Sequence, residues 1–157
     1  MAFSAPSLKG RALRLLSQRE HSRAELERKL AKHEEEPGTL AKALDELAAK
    51  DFISEPRVVA SVLHQRAARS GALRVKQELQ AKGIAPEAIA QAVAGLQETE
   101  VERATALWRR RFDAPPADAK ERAKQMRFLM ARGFSGAVVS KVLRSDFDDT
   151  SDDPSGE

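Results

Sequence analysis

A chain of 157 residues is long enough for one domain and is compatible with a compact or an extended arrangement. Hydrophobic residues make up 41% and aromatics only 4%, which argues against one large aromatic core and for thin helical layers. Cysteine is absent, which excludes a disulfide framework, thiolate metal ligands and a cysteine nucleophile. The net charge of +3 conceals an asymmetry: residues 146–157 hold five aspartates and one glutamate without a lysine or arginine, so residues 1–145 carry +9. A basic body of this kind favours polyanions or acidic protein surfaces, and the polar segment 146–157 is expected to be a disordered acidic tail. Two readings of that tail stay open, a solubility device or a competitor of nucleic acid for the basic face. No secretory leader pattern and no apolar run of membrane-spanning length are present, so a cytoplasmic location with no membrane association is expected.

Alanine, leucine, glutamate, lysine, arginine and glutamine dominate the chain, and all lose little side-chain freedom in a helix. Leu8, Ala12, Leu15 and Leu16 recur at helical spacing and predict a first helix over about 8–18. Ser22 with Glu25 has the spacing of a capping box, so a second helix starts near Arg23, carries Leu26 and Leu30, and breaks over 34–38. A third follows Thr39 with Leu40, Leu44 and Leu47 on one face. Ser54 caps a fourth, with Pro56 in its first turn, where a missing N–H is harmless. The fifth runs from Ala72 to about Lys82, and Pro86 opens the sixth, bearing Ile89, Val93 and Leu96. Thr99 with Glu102 and Asp118 with Glu121 repeat the capping-box spacing ahead of helices seven and eight. Ser135 precedes the ninth, with Val138, Val139, Val142 and Leu143.

The order of these helices repeats. LQAKGI at 79–84 and LMARGF at 129–134 each place a leucine four residues before a glycine and an apolar residue just after it. Glycine enters the left-handed region that ends a helix, and the residue beyond folds back onto the leucine, which is the pattern of a Schellman cap. The two leucines are 50 residues apart, and Leu30 precedes Leu79 by 49. The expected fold is therefore all-α, with three tandem three-helix repeats over 1–53, 54–97 and 98–145. In the first repeat Glu34 stands where the glycine would be, so its cap must differ.

Chemistry for catalysis is missing. His21, His33 and His64 lack the spacing of a zinc helix, Glu34 and Glu36 lie in a charged loop, the serines are taken by caps, and no glycine-rich phosphate loop occurs. No enzyme activity, metal or cofactor is expected.

The residues over 11–30, 57–84 and 126–143 resemble the RecX family, cytoplasmic bacterial regulators of the recombinase RecA. The likeness is carried by ALRLLSQREHSRAEL at 12–26 with Lys29 and Leu30, by Arg57, Ala60, Arg66, Gly71 and ELQAKGI at 78–84, and by FLMARGF at 128–134. The family usually has arginine-phenylalanine-alanine at the start of the second repeat, where this chain reads Arg57, Val58, Val59, Ala60. The aspartates that often precede that arginine are replaced by Ser54, Glu55 and Pro56. The resemblance implies an elongated, curved monomer that binds along the groove of a RecA filament on single-stranded DNA. It also implies inhibition of ATP hydrolysis and strand exchange, and so a role in homologous recombination and DNA repair.

Residues expected to carry binding are basic. Arg66 and Arg69 share a helix face, with Arg74 and Lys76 beyond the Gly71 turn. Arg109, Arg110 and Arg111 lie between Trp108 and Phe112, and Arg132 extends the last repeat. Guanidinium groups suit phosphate or carboxylate equally. For Arg57 and Arg66 a second reading stays open, that they brace neighbouring helices. For Trp108 the choice lies between stacking on a base and packing in the core. No base-reading motif occurs, so contacts to single-stranded DNA are expected to be secondary, phosphate-led and salt-dependent. The alternative class is an independent nucleic-acid-binding protein of helix-turn-helix type.

Overall fold

The computed structural model describes residues 5–148, with side chains through Arg144. Among the described residues there are nine α-helices and no strand: α1 (Leu8–Gln18), α2 (Arg23–Leu30), α3 (Thr39–Ala49), α4 (Glu55–Arg66), α5 (Ala72–Ala81), α6 (Pro86–Gln97), α7 (Glu100–Arg111), α8 (Ala119–Ala131) and α9 (Gly136–Asp148). A 3-10 turn, Ala31–His33, prolongs α2. The last helix reaches three residues into the segment expected as tail, and the rest of that segment lies outside the described residues. Among the described residues no helix is long and apolar enough to cross a membrane.

Local chemistry explains most helix starts. Ser22 Oγ accepts the Glu25 amide and Glu25 accepts the Ser22 amide, each at 3.2 Å, so both halves of the capping box form. Ser7, Ser54 and Ser135 each accept the amide three residues on, at 3.0, 3.3 and 3.3 Å. Asp118 does the same for Glu121 at 2.8 Å. The box expected at Thr99 does not form. Thr99 has ψ near 7° rather than the extended value a capping residue needs, and its hydroxyl instead accepts Arg103 Nε at 3.2 Å.

The helix ends follow the glycines. Gly83 (φ 70°) and Gly133 (φ 91°) sit in the left-handed region. Ile84 N–H donates to Leu79 O at 3.1 Å, and Phe134 N–H to Leu129 O at 3.3 Å, closing both Schellman motifs on buried apolar pairs. The same bond pattern ends α3, where Phe52 N–H donates to Leu47 O at 2.9 Å around Asp51, a non-glycine residue at φ 65°. In the first repeat α2 runs into the 3-10 turn instead, and Glu34 reaches forward to accept the Leu40 amide at the start of α3 at 2.9 Å.

The described residues form two compact units, 5–62 with Leu79–Ile89, and Leu63–Glu78 with 90–148. Helices α4, α5 and α6 therefore contribute to both. The first unit buries Ala12, Leu26, Leu30, Leu40, Leu44 and Leu47. The second buries nine apolar residues from α7 to α9 and the segments between them, including Leu107, Trp108, Leu129 and Phe134. Each fully buried leucine contributes about 2 kcal/mol through removal of its surface from water.

Candidate functional site

In the first unit, charged side chains hold α2 to the end of α5. Glu25 is 6% exposed and binds Arg19 at 2.7 Å, Lys82 at 3.0 Å and the Ser22 amide. Burial pushes its carboxyl up, but the hydrogen bonds from Arg19, Lys82 and Ser22 outweigh that and hold it at about 2. Arg28 donates to Ala81 O at 2.9 Å. His21 is 1% exposed, with Nδ1 3.0 Å from Arg19 O and Nε2 3.1 Å from Lys29 Nζ. A carbonyl only accepts and an ammonium only donates, so the ring is neutral with its proton on Nδ1. Burial lowers its pKa, and the nearby Arg19 and Lys29 charges add to that.

Arg57 belongs to this unit and is tied down. It binds Glu20 at 2.9 Å, the Asp51 carboxylate at 3.0 Å and the Asp51 carbonyl at 2.6 Å, which secures the left-handed turn after α3. These partners raise its pKa, the Glu20 hydrogen bond most.

The other eight basic candidates lie in the second unit, where α5 starts against the end of α8. Gly71 N–H donates to Arg132 O at 2.7 Å and Leu73 N–H to Gly133 O at 3.2 Å. The orphan donors of one helix thus satisfy the orphan acceptors of another. Buried Glu100 accepts the Ala72 amide at 3.0 Å, adding a negative group at the same helix start. A Cβ at Gly71 would fall on the Gly133 carbonyl, and one at Gly133 would meet Arg74 Cβ at 2.5 Å.

Around this junction the structure gathers Arg74, Arg111 and Arg132. Arg74 donates to Ala131 O at 3.0 Å. Arg111 and Arg132 stand 6.0 and 5.4 Å from the centroid of the Phe128 ring, and Arg111 lies 5.1 Å over Phe112. Arg66 pairs with Glu78 at 2.9 Å. Arg69, Lys76, Arg109 and Arg110 are exposed, and neither Arg69 nor Lys76 has an acidic partner among the described residues. Leu73 and Met130 are both 51% exposed and place apolar surface on the same two helices. Trp108 is core: it is 4% exposed, and its indole donates to buried Gln125 at 2.8 Å. Arg103, which sequence reasoning did not single out, is half-buried and donates to the carbonyls of Ala67, Ser70 and Leu96 at 2.7, 2.7 and 3.0 Å. Burial lowers its pKa.

Sequence reasoning also passed over a cleft in the first unit, between α1 and the α2 end with its 3-10 turn. It has a volume of about 460 Å³ and is lined by Arg11, Arg14, Arg28, Lys29, Lys32 and His33 together with Gly10, Leu15 and Leu30. The signal was available as Arg11, Arg14 and Gln18 at helical spacing on α1 and Arg28, Lys29, Lys32 and His33 at the same spacing on α2 and its turn.

Models of the three RecX domains match the chain in order. The first three-helix domain covers residues 9–47, the second 54–93 and the third 98–143. The chain belongs to the RecX family. It is 56% identical over 146 residues to the regulatory protein RecX of Leptothrix cholodnii, spanning 92% of this chain and 93% of that one. It is 51% identical over 138 residues to the regulatory protein RecX of Ralstonia nicotianae, spanning 88% and 87%. The crystal structure of RecX from Lactobacillus salivarius shares the fold, with a TM-score of 0.75 at 20% identity over 88% of this chain and 93% of that one. The family is one of regulatory proteins, and three three-helix domains account for its helices in this chain.

Proposed function

We propose that this chain binds the groove of a RecA filament on single-stranded DNA and lowers its ATP hydrolysis and strand exchange, acting in recombination and DNA repair in the cytoplasm. The observation that carries this reading is the ordered match of all three RecX domains along the chain. The second unit supplies suitable chemistry. Exposed Arg69, Lys76, Arg109 and Arg110 lie in the same unit as exposed Leu73 and Met130, a mixture of guanidinium and apolar groups that suits a protein partner with an acidic surface. Phosphates of the bound strand are secondary partners of the same cations. Arg66, Arg74 and Arg132 act mainly by shaping this surface, because their side chains already hold Glu78, the Ala131 carbonyl and the Phe128 ring, while Arg57 acts in the first unit, where it holds Glu20 and Asp51.

The test is to add the monomer below stoichiometry to RecA on single-stranded DNA and follow ATP turnover. Turnover should fall, and an unchanged rate across the whole titration refutes the reading. Arg69→Glu combined with Lys76→Glu should weaken inhibition by about tenfold while leaving helicity intact, since neither side chain holds an acidic group within the protein. Tight, sequence-selective duplex binding in the absence of recombinase would instead support an independent helix-turn-helix DNA-binding protein.

A further inference from the structure

The cleft between α1 and α2 breaks a local rule of helix chemistry. Arg11 with Arg14, Lys29 with Lys32, and Arg28 with Lys32 are like charges three or four residues apart, each pair costing a few tenths of a kcal/mol. No carboxylate lines the cleft, and Arg11, Arg14 and Lys32 have no ion-pair partner among the described residues. Elsewhere in the same unit several arginines are matched, Arg23 by Glu27 and Asp45 and Arg57 by Glu20 and Asp51, although the lone Lys42 and Lys50 are not. Two of the cleft cations are held in place, Arg28 by Ala81 O and Lys29 by His21 Nε2. The pKa of His33 is lowered by desolvation and then by the neighbouring charges of Arg11 and Lys32.

A second oddity coincides with the first. Gly10 sits in the first turn of α1, where glycine is a weaker helix former than alanine, and it lines the cleft. A Cβ at Gly10 would come within 3.2 Å of Ser7 Oγ, the atom that accepts the Gly10 amide and caps the helix. The volume of about 460 Å³ is that of a small-molecule site. Like charges left unbalanced around an open cavity are the arrangement expected where an anion supplies the missing charge.

We propose that this cleft binds an anion carrying two or more closely spaced phosphates, with Arg11, Arg14 and Lys32 as its direct ligands and Arg28 and Lys29 as fixed neighbours. Such phosphates come from a free polyphosphate, such as that of a nucleotide, or from the backbone of a nucleic-acid strand. No Phe, Tyr or Trp is among the residues that line the cleft, so recognition rests mainly on phosphate. This site does not depend on the recombinase reading, because no recombinase enters its test.

The test is calorimetric titration of the full chain with tripolyphosphate and, separately, with a short oligothymidylate. Two variants are compared, each lacking three positive charges: Arg11→Gln, Arg14→Gln, Lys32→Gln in the cleft, and Lys120→Gln, Lys124→Gln, Arg127→Gln on α8. Loss of about tenfold or more in affinity for at least one probe in the cleft variant, with the α8 variant unchanged and both folded by circular dichroism, supports the site. Tighter binding of tripolyphosphate then assigns it to a free polyphosphate, and tighter binding of the oligonucleotide assigns it to a strand. Absence of binding to the wild type, equal loss in both variants, or full binding by a folded cleft variant overturns the proposal.

Discussion

Two helix junctions in this protein do the same task with different chemistry. In the second unit the start of α5 meets the end of α8 through main chain, with amides of Gly71 and Leu73 on carbonyls of Arg132 and Gly133. In the first unit α2 meets the end of α5 through side chains, with Glu25 from its first turn on Lys82 and Arg28 from its last turn on Ala81 O. A main-chain junction demands that a side chain be absent, whereas a side-chain junction demands particular charges. The first is therefore sensitive to volume, and the second to protonation.

The largest effect is expected at Gly71. Alanine there forces its methyl onto the Gly133 carbonyl, and because neither group is the end of a flexible side chain the backbone must part, at a cost of about 3 kcal/mol or more. Trp108 is the single tryptophan and is buried in the second unit, so its fluorescence in urea follows this loss. A stability within 1 kcal/mol of wild type would show that the main-chain contact is not tight.

Next comes Glu25→Gln, which leaves Arg19 and Lys82 facing a neutral group and should cost about 2 kcal/mol near pH 7. The pH dependence sharpens the contrast. The folded Glu25 carboxyl lies at about 2 against an ordinary 4.5, so its contribution is complete above 4.5 and is lost as pH falls toward 2. The folded His21 pKa lies below 6.5, so the unfolded chain takes up that proton first, and stability also falls as pH drops below 6.5. Urea titrations followed by circular dichroism at pH 7 and pH 4 should show a loss with acid in the wild type and a smaller loss in Glu25→Gln. Equal acid losses in the two proteins would remove Glu25 from this role.

Gly83→Ala tests the first-unit junction by volume. The substitution meets only the Ala24 methyl, at 2.7 Å, and carries the left-handed backbone penalty, together about 1–2 kcal/mol. Adding Ala24→Gly should remove the clash and leave the backbone penalty, so the two changes are expected to be non-additive. The smallest effects belong to the exposed caps. Arg28→Ala and Arg74→Ala each lose one hydrogen bond to a helix-end carbonyl, costing about 0.5–1 kcal/mol in thermal unfolding.

Much of the fold is legible in local patterns. Ser22 with Glu25, Ser54 before Pro56, and the glycines at 83 and 133 fix helix starts and ends through bonds that span no more than five residues. Local reasoning failed at Thr99 because spacing alone does not set backbone conformation, and it passed over the turn at Asp51 because glycine is the usual signal of a left-handed residue. The basic candidates divided for a related reason. Sequence identifies Arg57, Arg66, Arg69 and Lys76 alike as cations, but only folding brings Glu20 to Arg57 and Glu78 to Arg66 and leaves Arg69 and Lys76 facing solvent.

By itself, then, the sequence determined the nine helices of the described residues, their threefold order and the likeness to the RecX family, because caps, periodicity and motifs are short-range features. Tertiary structure decided which cations are spent on holding helices, why Gly71 lacks a side chain, and that the basic residues of α1 and α2 converge on one cleft. Those depend on groups 12 to 62 residues apart in the chain, whose meeting no local pattern records.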